Sequence, residues 1–245
     1  MDEWFERISE GNQLPETVNV ALRNAGFGVI PGPIAGDAFE RFAAAYDSAM
    51  TDGQGSADMG VGSTTTRLHN LVNRGDAFDP VYLHPPLLQA CASIIGGPFR
   101  LSTMLGRTLQ PGAWAQELHV DLARDDEARP MVGFILMVDG FRADNGATRF
   151  VPGSHRWLDV PENVMSDRRA AYPGEVIACG LAGSLIIFNA SVWHGHTANT
   201  SGAARRSIQG YFIPRVAPSS FNLLERMQAD TLERLSPLAR YVLAA

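Results

Sequence analysis

A histidine and an aspartate lie two positions apart in the segment QELHVDLARDD (116–126), as His119 and Asp121. If this segment forms a strand, both side chains project to the same face, because side chains alternate along a strand. An imidazole beside a carboxylate can supply two ligands of a metal site, and Fe(II) with open coordination positions favours two histidines and one carboxylate. The His-x-Asp pattern recurs in many proteins, so a third ligand has to come from another part of the chain.

The segment SVWHGHTANTSGAARRSIQGYF (191–212) contains two further histidines, His194 and His196, and two adjacent arginines, Arg205 and Arg206. On a strand the two arginines point to opposite faces. The face of Arg205 carries polar residues that suit a ligand-lined interior, and the other face can pack against helices. An arginine suits a buried carboxylate, because its planar guanidinium binds both oxygens and stays charged. This pattern alone leaves either histidine as the third ligand.

The elements that position these segments differ in the two parts of the chain. Before residue 98, apolar spacing and glycine or proline boundaries predict helices and two strands around a glycine-rich loop. The predicted helices are LPETVNVALRNAG (14–26), GDAFERFAAAYDSAM (36–50) and PPLLQACASII (85–95), the strands are GFGVIPG (26–32) and TTRLHNLV (65–72), and the loop is TDGQGSADMGVGST (51–64). The first 50 residues are therefore expected to form two helices around one short strand.

After residue 98 the chain consists of short β-type runs separated by Gly, Pro, Asn and Asp. The runs are RLSTMLGRTLQ (100–110), MVGFILMVD (131–139), ATRFVPG (147–153), GEVIACG (174–180), GSLIIFNA (183–190) and RRSIQGYFIP (205–214). Helical periodicity returns over residues 219–243. Many short strands at this spacing predict a mainly β fold, with a double-stranded β-helix (jelly roll, cupin-like) core and N- and C-terminal helices packed outside. We expect residues 1–245 to form one domain.

Composition excludes several classes of function. The net charge of −6 argues against a nucleic-acid or anionic-membrane surface. All 20 basic residues are arginine, so no lysine is present for Schiff-base chemistry. Cys91 and Cys179 are too few and too far apart for a disulfide framework or a zinc site. The acidic N-terminus is no signal peptide and no long apolar run occurs, so we expect a soluble cytoplasmic protein whose oligomeric state the sequence does not indicate.

Three segments together resemble the phytanoyl-CoA dioxygenase family: His119-Val120-Asp121, NGATRFVPGSH (145–155) and GSLIIFNASVWHG (183–195). The resemblance extends from about residue 98 to residue 213. It implies a double-stranded β-helix enzyme that uses Fe(II), 2-oxoglutarate and O2. In that family the third iron ligand is the late histidine, and an arginine eleven residues beyond it binds the distal carboxylate of 2-oxoglutarate. Counting from His194 reaches Arg205, whereas counting from His196 reaches Ser207, so the resemblance implies His119, Asp121 and His194 as iron ligands and Arg205 as the cosubstrate arginine.

Two residues beside this set are assigned less specific roles. His196 is expected to line the cavity or support a ligand, with contact to 2-oxoglutarate or substrate as the alternative; many relatives carry a small hydroxyl residue there, so this chain departs from the pattern. Gln116 either orients substrate or cosubstrate or makes an ordinary hydrogen bond at a strand edge.

The remaining conspicuous residues are interpreted structurally. His155 is expected to bond a turn, Trp193 to pack, and His69 and His84 to be isolated surface or core histidines. The segment 124–130 is expected to be a solvated loop, and the loop 51–64 a lid that becomes ordered when substrate and 2-oxoglutarate are bound.

The sequence therefore predicts an Fe(II)- and 2-oxoglutarate-dependent dioxygenase that oxidises, most simply by hydroxylation, an unactivated C–H bond of a small molecule and releases succinate. Desaturation, cyclisation and epimerisation remain open. The alternatives are a cupin-type metal-dependent isomerase or hydrolase that does not use 2-oxoglutarate, and a non-catalytic binding barrel. A halogenase is disfavoured because Asp121 is present. Without lysine or a basic cluster, a coenzyme A thioester has no support, and we expect a free small molecule of specialised metabolism.

Overall fold

Two antiparallel β-sheets form the centre of the protein in the computed structural model, which describes residues 2–124, 130–218 and 223–245. The strands are β1 (Phe27–Pro31), β2 (Met59–Val61), β3 (Thr65–Leu68), β4 (Phe99–Leu109), β5 (Val132–Met137), β6 (Thr148–Phe150), β7 (Val176–Ala178), β8 (Ser184–Asn189), β9 (His194–His196) and β10 (Arg205–Pro214). The large sheet has the order β1-β8-β5-β10-β4-β3-β2, and the small sheet has the order β7-β6-β9.

Helices and short 3₁₀ turns surround these sheets. The helices are α1 (Asp2–Ser9), α2 (Glu16–Asn24), α3 (Asp37–Asp52), α4 (Asp79–Tyr82), α5 (Pro85–Ile95), α6 (Pro161–Val164), α7 (Ala229–Arg234) and α8 (Pro237–Leu243). The apolar helix α5 packs against β4, β5, β8 and β10, and α8 packs against β4. Within the described part of the chain, no helix combines the length and the apolar character that crossing a bilayer requires.

The central strands are buried on both faces, and their residues alternate between two hydrophobic cores. In β5, Phe134 and Leu136 belong to the core beneath the helices, whereas Ile135 and Met137 belong to the core on the other face of the sheet. Because both faces exclude water, β5 and β8 are continuous apolar runs rather than alternating ones. This two-sided burial is why the sequence shows VGFILM and SLIIFN at these positions.

The predicted fold class is confirmed: the protein is mainly β, with the jelly-roll core and flanking helices expected from the sequence. Two local predictions were wrong, and a third is not tested. The first 50 residues contain a third helix, α1, which covers α5. The segment 51–64 is not a continuous loop, because α3 extends to Asp52 and β2 pairs with β3. The solvated loop predicted at 124–130 lies largely outside the described residues.

One close approach between strands depends on a glycine. Gly210 in β10 pairs with Phe134 in β5, and the Phe134 ring lies over the glycine. A Cβ atom at residue 210 would lie 2.4 Å from Cζ of Phe134 and 2.6 Å from the carbonyl oxygen of Thr103. The carbonyl belongs to β4 and cannot move without disturbing the sheet, so any side chain at residue 210 overpacks the centre of the large sheet.

We expect Gly210→Ala to lower the free energy of unfolding by about 1–3 kcal/mol, the usual cost of overpacking a filled core. Gly60→Ala is the matched control, because Gly60 is also in a strand but a Cβ atom there would meet no atom within 4 Å. That variant should be neutral or slightly stabilised, since alanine restricts the unfolded chain. Urea unfolding of both variants and the wild type measures the difference. Equal stability of the two variants would contradict this account of Gly210.

Candidate active site

The structure brings His119, Asp121 and His194 together at one end of the space between the sheets. One ligand atom from each residue lies within 4.8 Å of the other two. Nε2 of His194 is 3.3 Å from one carboxylate oxygen of Asp121, and Nε2 of His119 is 3.7 Å from the other. The three side chains therefore converge on one point with two nitrogen donors and one oxygen donor.

Reciprocal backbone hydrogen bonds place the two imidazoles side by side. The His119 N–H donates to the His194 carbonyl and the His194 N–H donates to the His119 carbonyl, each at 3.0 Å. The His-x-Asp segment does not form a strand, because only this isolated bridge forms and Asp121 lies in a bend. The Asp121 N–H instead donates to the carbonyl of Ala190 at 3.0 Å. That loop contact, rather than strand alternation, directs the carboxylate towards the histidines.

Gly195 allows the His119 segment to approach β9 so closely. A Cβ atom at residue 195 would lie 2.9 Å from the carbonyl oxygen of Gln116 and 3.1 Å from that of Glu117. Both atoms belong to the backbone, so a side chain would push the segment away from β9. The glycine between His194 and His196 is thus required by the same contact that pairs the imidazoles.

Backbone carbonyls fix the orientation of both rings. Nδ1 of His119 lies 2.9 Å from the carbonyl oxygen of Glu117, and Nδ1 of His194 lies 3.0 Å from that of Val192. Because a carbonyl oxygen can only accept, each Nδ1 carries a hydrogen and donates it. The nitrogen that each ring turns towards Asp121 is therefore Nε2, and such carbonyl contacts are the usual outer partners of metal-binding histidines.

The electrostatics of the cluster favour a bound cation. Although burial works to raise it, the pKa of Asp121 is lowered by His194, His119 and the hydroxyl of Tyr211, so the carboxylate is ionised. Burial and the neighbouring His194 lower the pKa of His119. Burial also opposes a charge on His194, but Asp121 outweighs it and raises the pKa of His194. A carboxylate that attracts a proton to its neighbour would attract a metal cation in the same way.

Tyr211 is a functional candidate that the sequence did not single out. Its hydroxyl donates to Oδ2 of Asp121 at 2.8 Å. Burial and the adjacent carboxylate raise the pKa of Tyr211 well above its usual range, so the hydroxyl remains a donor. The sequence signal was its place on the same strand face as Arg205, but its contact with Asp121 depends on the fold.

Arg205 is a buried cation without an acidic partner. Its side chain is 1% exposed, and the guanidinium donates to the carbonyl of Gly146 at 2.7 Å and to Oγ of Ser207 at 3.2 Å. The guanidinium carbon lies 4.2 Å from the ring centroid of Phe141, while Nε has no partner. Burial, then the charge of Arg107, lowers the pKa of Arg205 to about 9. Among the described residues, no carboxylate forms an ion pair with it.

Arg206 lies on the opposite face, as strand alternation predicts. Its guanidinium forms ion pairs at 2.7 Å with Asp139 and with Asp47 of α3. These hydrogen bonds, against the opposing effect of burial, raise the pKa of Arg206. The adjacent arginines thus have contrasting surroundings: one is fully neutralised by acids, and the other is left without a counter-ion.

His196 lies beside this centre, on the same strand face as His194. It is 5% exposed, and its Nδ1–H donates to the carbonyl of Thr197 at 2.8 Å. Burial and the nearby guanidinium of Arg107 lower the pKa of His196 to about 3. Its imidazole is therefore neutral, with Nε2 available as an acceptor. Gln116 lies next to it through a backbone hydrogen bond from its N–H to the His196 carbonyl at 2.9 Å.

Two connected cavities lie over these residues. The inner cavity, of about 220 Å³, is lined by the His119–Asp121–His194 cluster, Arg205, His196, Gln116, Arg107 and Tyr211, among others. The outer cavity, of about 400 Å³, shares His119, His196, Gln116 and Arg107 with it and opens beside Trp114. Every residue predicted from the sequence as a site residue therefore lines the inner cavity.

The histidines interpreted structurally lie elsewhere. Nε2 of His155 is 3.2 Å from the carbonyl oxygen of Arg23, and Nε2 of His84 is 3.3 Å from that of Pro31. His155 thus ties its turn to the end of α2 rather than bonding the turn itself. Trp193 is buried and packs edge-on against Trp157 and Tyr172, as expected for a packing residue.

Comparison with known proteins places this arrangement in a family. Dioxygenase cdmA of Talaromyces verruculosus is 28% identical over 222 residues, which cover 81% of this chain and 72% of that protein. Dioxygenase olcK of Penicillium canescens is 29% identical over 200 residues, and the chain spans only 61% of its length. The crystal structure of HygX from Streptomyces hygroscopicus with nickel, 2-oxoglutarate and hygromycin B bound has the same fold, with a TM-score of 0.68 at 17% identity over 83% of this chain and 88% of that one.

The phytanoyl-CoA dioxygenase (PhyH) family model matches residues 22–207, which is most of the chain. The match includes both halves of the inner cavity, from the His-x-Asp segment to the start of β10. The protein therefore belongs to the phytanoyl-CoA dioxygenase family and is an iron- and 2-oxoglutarate-dependent dioxygenase.

Proposed function

We propose that the protein hydroxylates an unactivated C–H bond of a small molecule and converts 2-oxoglutarate to succinate and carbon dioxide. The observation that carries this proposal is Arg205, a buried guanidinium without an acid, in the same cavity of about 220 Å³ as the His119–Asp121–His194 cluster. A metal-dependent isomerase or hydrolase would have no use for an unneutralised arginine at this place. A ligand with two acidic ends accounts for both features.

In this proposal His119, Asp121 and His194 hold Fe(II). Their donor set of two imidazole nitrogens and one carboxylate oxygen is the one that non-haem iron oxygenases use, and it leaves positions open on one side. Bound iron supplies the activation of dioxygen, coupled to the oxidative decarboxylation of 2-oxoglutarate. The chain contributes the fixed orientation of both imidazoles through the Glu117 and Val192 carbonyls.

Tyr211 orients the carboxylate of Asp121. Its hydroxyl donates to Oδ2 and holds the carboxylate in the direction of the two imidazoles. A hydrogen bond of this kind would fix the orientation of the carboxylate when it ligates a metal ion. The ring of Phe188 packs against His194 at 5.0 Å between centroids and helps to exclude water from that side.

Arg205 binds the distal carboxylate of 2-oxoglutarate, with the Ser207 hydroxyl beside it. The guanidinium is already held by the Gly146 carbonyl and by the Phe141 ring, so little conformational freedom is lost on binding. Water is excluded from Arg205, which strengthens a charged pair relative to one at the surface. His196 and Gln116 form the adjoining cavity wall, and the neutral Nε2 of His196 accepts a hydrogen bond from a bound ligand.

Residues 1–245 act as one oxygenase domain in this proposal, because β1 from the N-terminal part pairs with β8 and β10 pairs with β4 in the same sheet. The substrate is a small molecule. The volume of the cavities supports this class, and so does the hygromycin B bound in the HygX structure.

The first test concerns the two histidines of β9. His194→Ala should abolish Fe(II) binding, because it removes one of three ligands, whereas His196→Ala should bind iron within about threefold of the wild type, since its ring takes no part in the cluster. Anaerobic Fe(II) titration by calorimetry measures both affinities, with circular dichroism as the check of folding. Loss of iron binding in His196→Ala together with retention in His194→Ala would show that the wrong histidine has been assigned.

The second test uses the adjacent arginines as a matched pair. Removing Arg205 would leave a buried carboxylate of 2-oxoglutarate without its partner, which typically costs about 3–5 kcal/mol, or roughly two to four decades in affinity. Arg205→Ala should therefore raise the 2-oxoglutarate requirement for succinate formation by that factor while iron binding persists. Arg206→Ala should change it little, because Arg206 is neutralised by Asp139 and Asp47 on the outer face. Equal effects of the two substitutions would contradict the assignment.

A further inference from the structure

Arg67 and Arg107 form a pair of like charges on neighbouring strands. Arg67 in β3 is the direct cross-strand partner of Arg107 in β4, so both side chains project from the same face of the large sheet. Like charges directly opposite each other destabilise a sheet. The pair therefore costs stability unless something else in the protein, or a ligand, neutralises it.

No acid of the described residues neutralises this pair. Arg107 is 7% exposed, its Nε has no hydrogen-bond partner, and neither Arg67 nor Arg107 forms an ion pair with a carboxylate in the described part of the chain. Burial and the charge of Arg67 lower the pKa of Arg107 to about 10, so it is still cationic at neutral pH. Arg107 is a desolvated guanidinium facing another guanidinium.

Another buried arginine in the same region has an acidic partner. Arg149, which is 2% exposed, forms an ion pair with Glu175 at 3.2 Å and donates to the carbonyls of Ala170, Gln116 and Arg168. The charge of Arg149 is thus neutralised by the protein itself, although its Nε, like that of Arg107, has no partner. The contrast with Arg149 indicates that Arg67 and Arg107 are available to bind an anionic ligand.

The pair lies at the junction of the two cavities. Arg67 and Arg107 line both the inner cavity and the outer one, between the His119–Asp121–His194 cluster and the opening beside Trp114. The other two arginines of the outer cavity are neutralised, because Arg168 and Arg169 both form ion pairs with Glu117. The unpaired guanidinium groups are therefore accessible to a molecule in either cavity.

Under the proposed function 2-oxoglutarate does not neutralise the pair, because its charges are balanced by other groups of the site. A divalent iron ion, the carboxylate of Asp121, the guanidinium of Arg205 and the two carboxylates of 2-oxoglutarate sum to zero net charge. Both positive charges of Arg67 and Arg107 then remain, and that of Arg107 is buried. Because buried charges need partners, a further anionic group is required there: a carboxylate would neutralise one of the two charges and a phosphate dianion both.

We propose that Arg67 and Arg107 form an oxyanion-binding subsite for the substrate, which carries a carboxylate or phosphate group that these guanidinium groups bind while its oxidised carbon faces the metal cluster. This inference rests on the proposed function and narrows its substrate to anionic small molecules. Guanidinium groups bind carboxylates and phosphates through paired N–H donors. The exposed Trp114 ring, 66% accessible, provides an apolar surface for the rest of the substrate at the opening.

The test uses the protein loaded with Ni(II) and saturated with 2-oxoglutarate, which occupies Arg205 and does not turn over. Benzoate, phenyl phosphate and neutral benzyl alcohol are titrated by calorimetry as probes of similar size. We expect at least one of the two anions to bind at least tenfold more tightly than benzyl alcohol, and the stronger anion distinguishes a carboxylate from a phosphate substrate.

Three variants locate the binding. Arg107→Gln and Arg67→Gln should each weaken the preferred anion at least tenfold and leave the 2-oxoglutarate affinity within threefold. Arg169→Gln is the matched control in the same cavity and should bind the anion like the wild type, because Arg169 is already paired with Glu117. Arg67 is partly exposed and on a short strand near the sheet edge, so its variant remains informative if Arg107→Gln does not fold.

Two results would overturn the subsite. One is equal binding of anionic and neutral probes by the wild type. The other is a loss of 2-oxoglutarate affinity in Arg107→Gln and Arg67→Gln with unchanged probe binding, which would assign the pair to the cosubstrate. Failure of the wild type to bind 2-oxoglutarate at all, measured before any probe is added, would instead overturn the proposed function.

Discussion

The short antiparallel contact between His119 and His194 determines the geometry of the active site. Two reciprocal hydrogen bonds of 3.0 Å join a loop segment to the edge of the small sheet, and the absence of a side chain at Gly195 allows that approach. The contact sets the separation of the imidazoles, and the backbone carbonyls at Glu117 and Val192 set their rotation. The rest of the β fold can be understood as the scaffold that brings these two segments into register.

The sequence predicted what depends on local periodicity. The alternation along β10 placed Arg205 and Arg206 on opposite faces, because a two-residue period needs no knowledge of the neighbouring strands. The fold class followed from the spacing of short strands and turns. The resemblance to a family, rather than the pattern of residues, selected His194 over His196 and supplied the role of Arg205.

What the sequence could not predict depends on which strands are neighbours. The position of Asp121 is set by its backbone hydrogen bond to Ala190, far away in the chain. Its side chain converges with that of His119 although the segment forms no strand. Arg107 appears in the sequence as one arginine in an apolar run. Its role becomes apparent only from the strand register, which pairs it with Arg67, and from its position in the lining of both cavities. The helix α1 was missed because its eight residues are too few for a clear periodic signal.

The doubled arginine at the start of β10 has a consequence for how insertions and deletions act in this chain. A shift of β10 by one residue, such as a deletion in the turn after β9 would cause, still presents a guanidinium to the cavity, because Arg206 would replace Arg205. The same shift would replace Ser207 by Ile208 and Tyr211 by Phe212, since every side chain changes face together. The distal carboxylate of 2-oxoglutarate would then meet a guanidinium but not the Ser207 hydroxyl, and Asp121 would lose its hydrogen bond from Tyr211. The second arginine therefore does not make the chain tolerant of a one-residue insertion or deletion before β10. Ser207 and Tyr211 both require the present register of the strand.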